Sequence, residues 1–456
     1  MDTICAIATA PGGALGIIRI SGPDAIQITD SIFRPKRKGM DLLHAKPYTL
    51  SFGHIIDEKG IVDEVLISTF KAPHSFTGED CTEISCHGSR YILHHIISML
   101  ISKGCRVAQP GEYTQRAFLN GKMDLSQAEA VADLIASNTA ASHRLAMSQM
   151  RGGFSQELRQ LRDKLLHFTS LIELELDFSD HEELEFADRA ELISLSRDIE
   201  TKLSKLTDSF NVGNAIKNGV PVAIIGETNA GKSTLLNALL GEEKAIVSNI
   251  HGTTRDVIED TFILQGITFR FIDTAGIRQT DDAIETIGIQ RTFQKIEQAS
   301  IILWIVDAQN AQNQVDTLKD TILPYSNDKK LILVINKTDL QPTTVLNGIP
   351  DDIEQISISA SKRENLEQLQ QAIVEAAGLP QPEQEDIIVT NLRHYEALQH
   401  ALESIHRVEN GLQDNISGDF ISQDIRECIY FLQDIMGEVT SDDVLGNIFK
   451  NFCIGK

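Results

Sequence analysis

One glycine-rich stretch carries the clearest chemistry in this sequence. Residues 226–233 fit the spacing G-x-x-x-x-G-K-S; they follow the apolar run Val222–Ile225 and precede an apolar helical pattern predicted from Thr234. Glycines let consecutive backbone N–H groups point at one anion, and a helix N-terminus adds partial positive charge. In this register Lys232 would reach nucleotide phosphates and the Ser233 hydroxyl would ligate Mg²⁺. The stretch therefore predicts a nucleotide-phosphate loop.

Three further stretches narrow the nucleotide to GTP. They are Asp273-Thr274-Ala275-Gly276 after the apolar run Ile267–Ile272, Asn336-Lys337-Thr338-Asp339 after Leu331–Ile335, and Ser359-Ala360-Ser361 after Ile356–Ile358. Asp273 would join the Mg²⁺ shell. Asp339 could accept hydrogen bonds from both N1–H and N2–H₂ of guanine, a donor pair that adenine lacks. Because each stretch ends a predicted strand, where α/β folds bind ligands, the set predicts a GTPase domain.

Composition limits the class of protein. A length of 456 residues favours about three domains. The formal net charge of −24 opposes sequence-independent binding to a polyanion, so a nucleic-acid contact would need a local basic patch or a basic partner. The six cysteines show no C-x-x-C spacing, and no apolar run reaches membrane-spanning length. These features predict a cytoplasmic chain with reduced thiols and no membrane partner.

Residues 1–120 are predicted to form an α+β domain. The predicted strands are Ile4–Thr9, Gly16–Ser21, Tyr48–Ile56, Glu64–Phe70, Thr82–Cys86 and Arg106–Gln109, and the predicted helices are Asp24–Phe33 and Tyr91–Ser102. Arg19 lies between two isoleucines on a strand, so its charge needs an internal carboxylate or an anionic ligand. The run Pro35-Lys36-Arg37-Lys38 could be a nucleic-acid patch or a solvated loop. His87, His94 and His95 lack zinc-like spacing and are interpreted as helix-surface residues.

Helical periodicity follows on both sides of the GTPase motifs. Ser126 with Glu129 predicts a capping box that opens an alanine-rich helix. Apolar residues then recur at intervals of three or four positions, the spacing of one face of a helix. The four runs are Leu158, Leu161, Leu165, Phe168, Ile172 and Leu176; Leu192, Leu195, Ile199, Leu203, Leu206 and Phe210; Leu398, Ala401, Ile405, Val408 and Leu412; and Ile421, Ile425, Cys428, Leu432 and Ile435. We therefore predict a helical domain in two parts, 121–216 and 380–456, around a GTPase domain at 217–379.

Two positions depart from the commonest small GTPases. Ile277 follows Gly276 where many of them place a glutamine that orients the attacking water, so the catalytic polar group must come from elsewhere. Asn229 in the phosphate loop could ligate a monovalent cation lying between phosphates, where other GTPases use an arginine finger. The alternative, that Asn229 only forms a turn, stays open.

Several motifs together identify a family. The chain resembles the MnmE (TrmE) family of tRNA uridine modification GTPases over its whole length. The resemblance rests on the phosphate loop with Asn229, Gly252-Thr253-Thr254-Arg255-Asp256, Asp273–Gly276 and the final Phe452-Cys453-Ile454-Gly455-Lys456, together with Gly16–Gly22, Phe76–Asp80 and Arg116–Asn120. Thr228 stands where the family usually has proline, and Pro11-Gly12-Gly13 lacks an arginine often found there.

The resemblance implies a fold and a set of binding residues. The fold would be multidomain: an α+β N-terminal domain that binds folate and dimerises, a discontinuous α-helical bundle and an inserted α/β P-loop GTPase domain. By matching position, GTP would be bound by Asn229, Ala230, Gly231, Lys232, Ser233, Thr234, Ser248, Asn249, Ile250, His251, Gly252, Thr253, Thr254, Asp273, Thr274, Ala275, Gly276, Asn336, Lys337, Asp339, Ser359, Ala360 and Ser361. The K⁺ ligands would be Asn229, Ser248, Ile250 and Thr253, the Mg²⁺ ligands Ser233 and Thr254, and the 5-formyl-tetrahydrofolate contacts Arg19, Glu83, Lys122 and Lys456.

The resemblance also implies partners and catalytic residues. The partners would be a second copy of the chain, an MnmG-like FAD/NADH protein, and tRNA carrying the wobble uridine that is modified at carbon 5. Glu285 matches the catalytic glutamate, although an acid there also suits the start of the predicted helix Glu285–Gln298. Cys453 matches a tail cysteine important for modification, and a small hydrophobe closing the last helix is the alternative. A ribosome-assembly GTPase and a regulatory switch GTPase are the other functions that the nucleotide motifs permit.

Overall fold

A computed structural model describes residues 2–177, 189–242, 260–272, 297–327, 329–341, 346–378, 387–450, 452 and 455. The chain divides into two compact units. The first contains Met1–Ala136, Ala146–Thr201 and Ala397–Lys456, and the second contains Ser137–Leu145 and Lys202–Glu396. None of the helices in these described ranges combines the length and the apolar character needed to span a membrane.

The first unit contains a seven-stranded sheet. Its strands are β1 Ile4–Ile7, β2 Leu15–Ser21, β3 Phe33–Pro35, β4 Thr49–Asp57, β5 Gly60–Phe70, β6 Cys81–His87 and β7 Arg106–Val107, in the spatial order β3-β4-β5-β6-β2-β1-β7. All neighbours are antiparallel except β1 and β7. Helices α1 Ala25–Ile32 and α2 Arg90–Ser102 contribute Ile26 and Leu93 to the core with Ile18 and Ile20 of β2. Apolar residues at alternate strand positions therefore form one buried face, as a half-covered antiparallel sheet requires.

The predicted strands and helices of this domain are confirmed to within a few residues, and two elements were missed. The three-residue β3 contains a proline and is too short for a visible alternation. Helix α3, Glu112–Leu119, follows Gly111 and buries Glu112 and Arg116 as well as apolar residues. An apolar stripe at helical spacing is therefore absent from its sequence, because ion pairs occupy part of its buried face.

The remaining helices follow in chain order. They are α4 Leu125–Ala136, α5 Ala140–Met150, α6 Gly153–Asp177, α7 Arg189–Asp208, α8 Phe210–Asn218, α9 Lys232–Glu242, α10 Ala311–Ile322, α11 Leu366–Ala377, α12 Leu392–Gln413, α13 Gly418–Met436 and α14 Asp442–Lys450, with a 3-10 turn at Leu323–Asn327. The predicted apolar stripes are confirmed as core, since Leu158, Leu165 and Phe168 of α6 and Ile425 and Leu432 of α13 are buried.

Helices from before and after the second sheet form one bundle in the first unit. Arg162 of α6 pairs with Glu438 at 3.0 Å, and Arg197 of α7 pairs with Glu409 of α12 at 3.0 Å. These pairs join residues more than 200 positions apart in the chain. The predicted discontinuous helical bundle is therefore confirmed.

The predicted capping box at the start of α4 is wrong by two residues. The Asp124 carboxylate accepts a hydrogen bond from Gln127 N at 3.0 Å, and the Gln127 side chain accepts one from Asp124 N at 3.0 Å. The box is thus Asp124 with Gln127, while the Ser126 hydroxyl donates to Asp124 Oδ1 at 2.9 Å. Aspartate is as good an N-cap as serine, so the sequence offered two overlapping boxes and the earlier one formed.

The second unit contains a six-stranded α/β sheet. Its strands are β8 Val220–Ile225, β9 Asp260–Leu264, β10 Ile267–Phe271, β11 Ile301–Asp307, β12 Lys330–Asn336 and β13 Glu354–Ser357, in the order β13-β12-β11-β8-β10-β9. All pairs are parallel except β9 with β10. One face packs with Leu235 of α9 and Ile373 of α11, and the other with Val315 of α10. Covering both faces explains why the strands are almost continuously apolar.

Candidate GTP site and N-terminal charged site

The phosphate loop joins β8 to α9 and folds around its own lysine. Gly226 has φ +145°, and a Cβ there would overlap the backbone carbonyl of Ile305. Lys232 begins α9, two residues before the predicted start, and its Nζ donates to the carbonyls of Gly226 and Glu227 at 2.7 Å each. The ammonium group therefore lies over the loop, where a lysine can meet nucleotide phosphates.

Asn229 adopts a left-handed conformation in this loop. Its φ is +64° and its side chain is exposed. Asparagine tolerates this region better than most residues, so the backbone alone accounts for an asparagine here. Because the residue is exposed, its carboxamide could also bind a cation, so cation binding and turn formation are compatible roles for Asn229.

Asn336 connects three of the predicted GTP-binding stretches. Its side chain is buried; Nδ2 donates to the carbonyl of Ala230 at 2.9 Å, and Oδ1 accepts from the amides of Lys337 at 2.8 Å and Ala360 at 3.0 Å. A Cβ at Gly231, where φ is +97°, would overlap the Asn336 amide nitrogen. The phosphate loop, the Asn-Lys-Thr-Asp stretch and the Ser-Ala-Ser stretch are thus held together by one side chain.

The carboxylate expected to read guanine is also oriented by hydrogen bonding. Asp339 Oδ1 accepts from the Ser359 hydroxyl at 2.7 Å, and the two Ser hydroxyls at 359 and 361 lie 3.2 Å apart. Lys337 has φ +66° and pairs with Asp307 at the end of β11, Nζ to Oδ2 2.6 Å. Sequence reasoning missed Asp307, although it ends an apolar strand in the same way as the recognised motifs.

Several predicted site residues lie outside the described residues. They are Ser248, Asn249, Ile250, His251, Gly252, Thr253, Thr254, Asp273, Thr274, Ala275, Gly276, Glu285, Cys453 and Lys456. Their assignments stay predictions.

Arg19 and Glu83, two of the residues predicted to meet folate, form a cross-strand ion pair. They face each other in the β2–β6 register, with Arg19 Nη2 2.7 Å and Nε 2.8 Å from Glu83 Oε1. The guanidinium carbon lies 5.7 Å from the centre of the Tyr113 ring. Of the two partners predicted for Arg19, the structure provides the internal carboxylate. Lys122, the third folate residue, donates to the carbonyl of Pro73 at 2.9 Å.

The C-terminal tail lies against the same sheet. Arg19 Nη1 donates to the Gly455 carbonyl at 3.2 Å, and a Cβ at Gly455, where φ is +92°, would come within 2.7 Å of the Ile7 carbonyl oxygen. The tail therefore returns to the N-terminal domain at Gly455. The neighbouring Phe452 packs with Phe449 of α14, with ring centres 5.2 Å apart.

An ionic network around the buried Arg116 supports this region, and sequence reasoning did not find it. Arg116 is 3% exposed and meets Asp2 at 2.8 Å, Glu79 at 3.1 Å and Glu112 at 3.0 Å. A hydrogen bond from Arg106, with a smaller contribution from Arg116, lowers the pKa of Asp2 to about 2. Because breaking a buried pair leaves an uncompensated charge, this network fixes how the N-terminus and the Phe76–Asp80 loop pack.

Two of the three histidines singled out in the sequence pair with carboxylates. The helix-surface interpretation is wrong for His87, which is the last residue of strand β6, and holds for His94 and His95, which lie on α2. His87 Nδ1 lies 2.7 Å from Asp63 Oδ1, and His95 Nε2 lies 2.9 Å from Asp57 Oδ2. Within the part of the chain that the structure describes, three or more His, Cys, Asp or Glu side chains do not come together as a metal-binding group.

The parallel sheet, the lysine-containing phosphate loop and the guanine-type Asn-Lys-Thr-Asp stretch define a P-loop GTPase, and the chain is a GTP hydrolase. The family model "MnmE helical domain" matches residues 125–453, and "GTP-binding protein TrmE N-terminus" matches residues 3–122. The chain belongs to the MnmE family of tRNA modification GTPases.

Two full-length relatives agree with this assignment. The chain is 64% identical to the tRNA modification GTPase MnmE of Bacteroides thetaiotaomicron, covering 100% of this chain and 99% of that protein. It is 65% identical to the protein of the same name from Bacteroides fragilis, with the same coverage. Among solved structures, the FeoB G-domain from Methanococcus jannaschii is 27% identical and covers 35% of this chain and 97% of that chain, with a TM-score of 0.26.

Proposed function

We propose that this chain is a K⁺-dependent cytoplasmic GTP hydrolase that helps to modify tRNA. Working as a homodimer with an FAD-dependent partner of the MnmG type, it would add an aminomethyl or carboxymethylaminomethyl group to carbon 5 of the wobble uridine of certain tRNAs. The single observation that carries the nucleotide half is the Asn336 side chain, which holds the phosphate, guanine and Ser-Ala-Ser stretches in one arrangement. Family membership carries the tRNA half.

The geometry around Asp339 supports guanine recognition. Ser359 donates to one carboxylate oxygen and fixes its orientation. A carboxylate held in this way accepts two adjacent N–H groups, N1–H and the exocyclic amine of guanine. A site built to pair with such donors rejects a base that lacks them, because its buried polar groups would be left unpaired.

Hydrolysis would use cations bound at the phosphate loop. Ser233, in the first turn of α9, and Thr254 would hold Mg²⁺, which neutralises charge on the phosphates. Asn229 with Ser248, Ile250 and Thr253 would hold K⁺, which stabilises the charge that develops between phosphates as the bond breaks. The exposed carboxamide of Asn229 in a sterically open turn fits this role. Glu285 would orient the attacking water, a task that Ile277 cannot perform.

The N-terminal site fits a folate. The Glu83 carboxylate, held by Arg19, can accept hydrogen bonds from adjacent N–H groups such as those of a pterin ring. Lys122 and Lys456 would meet the glutamate carboxylates of 5-formyl-tetrahydrofolate or a related folate. The hydrogen bond between Arg19 and Gly455 supports placing the tail thiol of Cys453 near this site. A thiolate close to these cations would have increased reactivity.

Nucleoside analysis of tRNA tests this proposal. A deletion strain should lose the modified wobble uridine, the wild-type gene should restore it, and Cys453→Ser should not restore it. Purified Cys453→Ser should hydrolyse GTP at the wild-type rate, which separates the tail from the GTPase site. Full modification in the deletion strain would contradict the proposed function. Full rescue by Cys453→Ser would make the thiol structural.

A further inference from the structure

A strongly basic edge lies on the N-terminal domain and includes none of the residues assigned to GTP or folate. Between Phe33 and Tyr48 the chain carries five cationic side chains, Arg34, Lys36, Arg37, Lys38 and Lys46, against one acid, Asp41. This is a local excess of positive charge in a protein with a formal net charge of −24. We define Arg34, Lys36, Arg37 and Lys38 as the basic edge.

Strand pairing fixes the first part of this edge. Strand β3 pairs only with β4 among the described strands, with Arg34 opposite His54 and Pro35 opposite Gly53. Lys36 N extends the pairing by donating to Phe52 O at 3.0 Å. Gly53 permits this close approach, since a Cβ there would lie 2.7 Å from the Phe33 ring. The cations therefore project from an ordered sheet border into the turn that follows.

Internal carboxylates neutralise little of this charge. Lys36 lies 3.4 Å from Glu64, and both side chains are largely exposed. An exposed pair of this kind contributes little to stability. Within the described ranges, Arg34, Arg37 and Lys38 have no carboxylate at ion-pair distance, and all three are exposed. The edge thus keeps most of its charge available to a ligand.

Aromatic and apolar surface adjoins the cations. Lys36 Nζ lies 5.2 Å from the centre of the Phe52 ring, and Phe52 remains 42% exposed. Leu50, two residues earlier on β4 and hence on the same face, is 66% exposed. Cations beside an exposed aromatic ring are typical of surfaces that bind phosphate backbones and unpaired bases.

We propose that the basic edge is a docking surface for the phosphate backbone of tRNA. This inference rests on the proposed function, in which tRNA is the substrate. The chain as a whole repels a polyanion, but screening limits that repulsion to about 8 Å at physiological ionic strength, so a local cluster decides whether tRNA binds. A second copy presenting the same edge would bring cations against cations, which disfavours self-association here.

Charge reversal in the exposed turn tests the proposal. Full-length Arg37→Glu/Lys38→Glu should bind tRNA about tenfold more weakly than wild type at about 0.1 M salt, and the slope of log affinity against log salt should fall by about 2, one for each phosphate that is no longer neutralised. Arg37→Gln/Lys38→Gln should show the same fall in slope with a smaller loss of affinity. Neither variant changes a residue of the GTP site, so GTP turnover should not change.

A matched control carries the same charge change at another place in the domain. Lys59→Glu/Lys103→Glu reverses two exposed lysines outside the basic edge, and it should keep the wild-type salt slope. The proposal would be overturned if the control and the edge variants lost equal affinity for tRNA. It would also be overturned if the edge variants bound tRNA as tightly as wild type, whether or not they lost binding to the FAD partner. None of these results would change the modification of tRNA by the wild-type protein, so failure of this inference is distinguishable from failure of the proposed function.

Discussion

Replacing Asn336 by alanine should disconnect the stretches that form the GTP site. The substitution removes three hydrogen bonds, to Ala230 O, Lys337 N and Ala360 N. At about 0.5–1.5 kcal/mol each, their loss costs about 1.5–4.5 kcal/mol. Because GTP must restore this arrangement when it binds, part of the lost energy weakens binding. We expect the free energy of GTP binding to fall by about 1.4–2.8 kcal/mol, which raises the Kd for GTP about 10- to 100-fold.

Two substitutions make this prediction specific. Asn336→Asp keeps the acceptor for Lys337 N and Ala360 N but places an oxygen against the Ala230 carbonyl, so only the hydrogen bond to the phosphate loop should fail. Asn313→Ala, on the exposed face of α10, is the matched control and should change stability by less than about 0.5 kcal/mol.

Fluorescent GTP analogues would measure affinity, and hydrogen exchange would report the separated loops. The amides of Lys337 and Ala360 should exchange about fivefold faster in Asn336→Ala, because each loses an acceptor worth about 1 kcal/mol. The Asn336→Asp variant should protect both amides as wild type does. A Kd within twofold of wild type, with unchanged exchange, would refute the role given to Asn336.

Three other predictions concern cation use, water positioning and acid stability. We expect K⁺ in place of Na⁺ to stimulate hydrolysis by the wild type, and Asn229→Gly and Asn229→Ala should both lose this stimulation. A glycine variant that K⁺ still stimulates would show that Asn229 serves only the left-handed turn. Glu285→Ala should lower kcat about 10- to 1000-fold and spare GTP affinity, whereas wild-type kcat would favour a helix-start role. A hydrogen bond from Arg106 lowers the pKa of Asp2 from 3.8 to about 2. The ionised Asp2 therefore stabilises the fold fully above pH 3.8, and this stabilisation is lost as the pH falls towards 2. The Tm of Asp2→Asn should therefore fall less than that of wild type over this range, and parallel curves would contradict this.

Periodicity and motif spacing predicted most of the fold. Apolar stripes such as Leu158, Leu161 and Leu165 mark helix faces whose burial depends only on local spacing. Helix α3 was missed because its Arg116 is buried against Glu112 of the same helix and against Asp2 and Glu79, which come from elsewhere in the chain. The capping box was placed at the wrong residue because Asp124 and Ser126 both have a suitable partner three positions later. Only the folded structure selects Asp124.

The site was predictable where neighbours in sequence carry the chemistry. The phosphate loop follows from the spacing of its glycines, Lys232 and Ser233. In contrast, the hydrogen bond between Asn336 and Ala230 spans 106 positions, and Arg19 meets Glu83 only because β2 and β6 pair in one register. Such interactions depend on sheet topology, which local patterns do not determine.

GTP bound at the guanine site is proposed to drive tRNA modification, and a nucleotide swap at Asp339 tests this proposal directly. Xanthine carries an oxygen where guanine carries its amino group, so Asp339→Asn offers that oxygen an N–H donor while its remaining side-chain oxygen still accepts N1–H. The variant should prefer XTP over GTP by at least about 100-fold. In a reaction reconstituted with the FAD partner, folate and tRNA, Asp339→Asn should modify wobble uridine with XTP and not with GTP, and wild type should do the reverse. If the variant modified tRNA equally well with GTP and with XTP, or if modification occurred without any nucleotide, the proposed role of the guanine site would be contradicted.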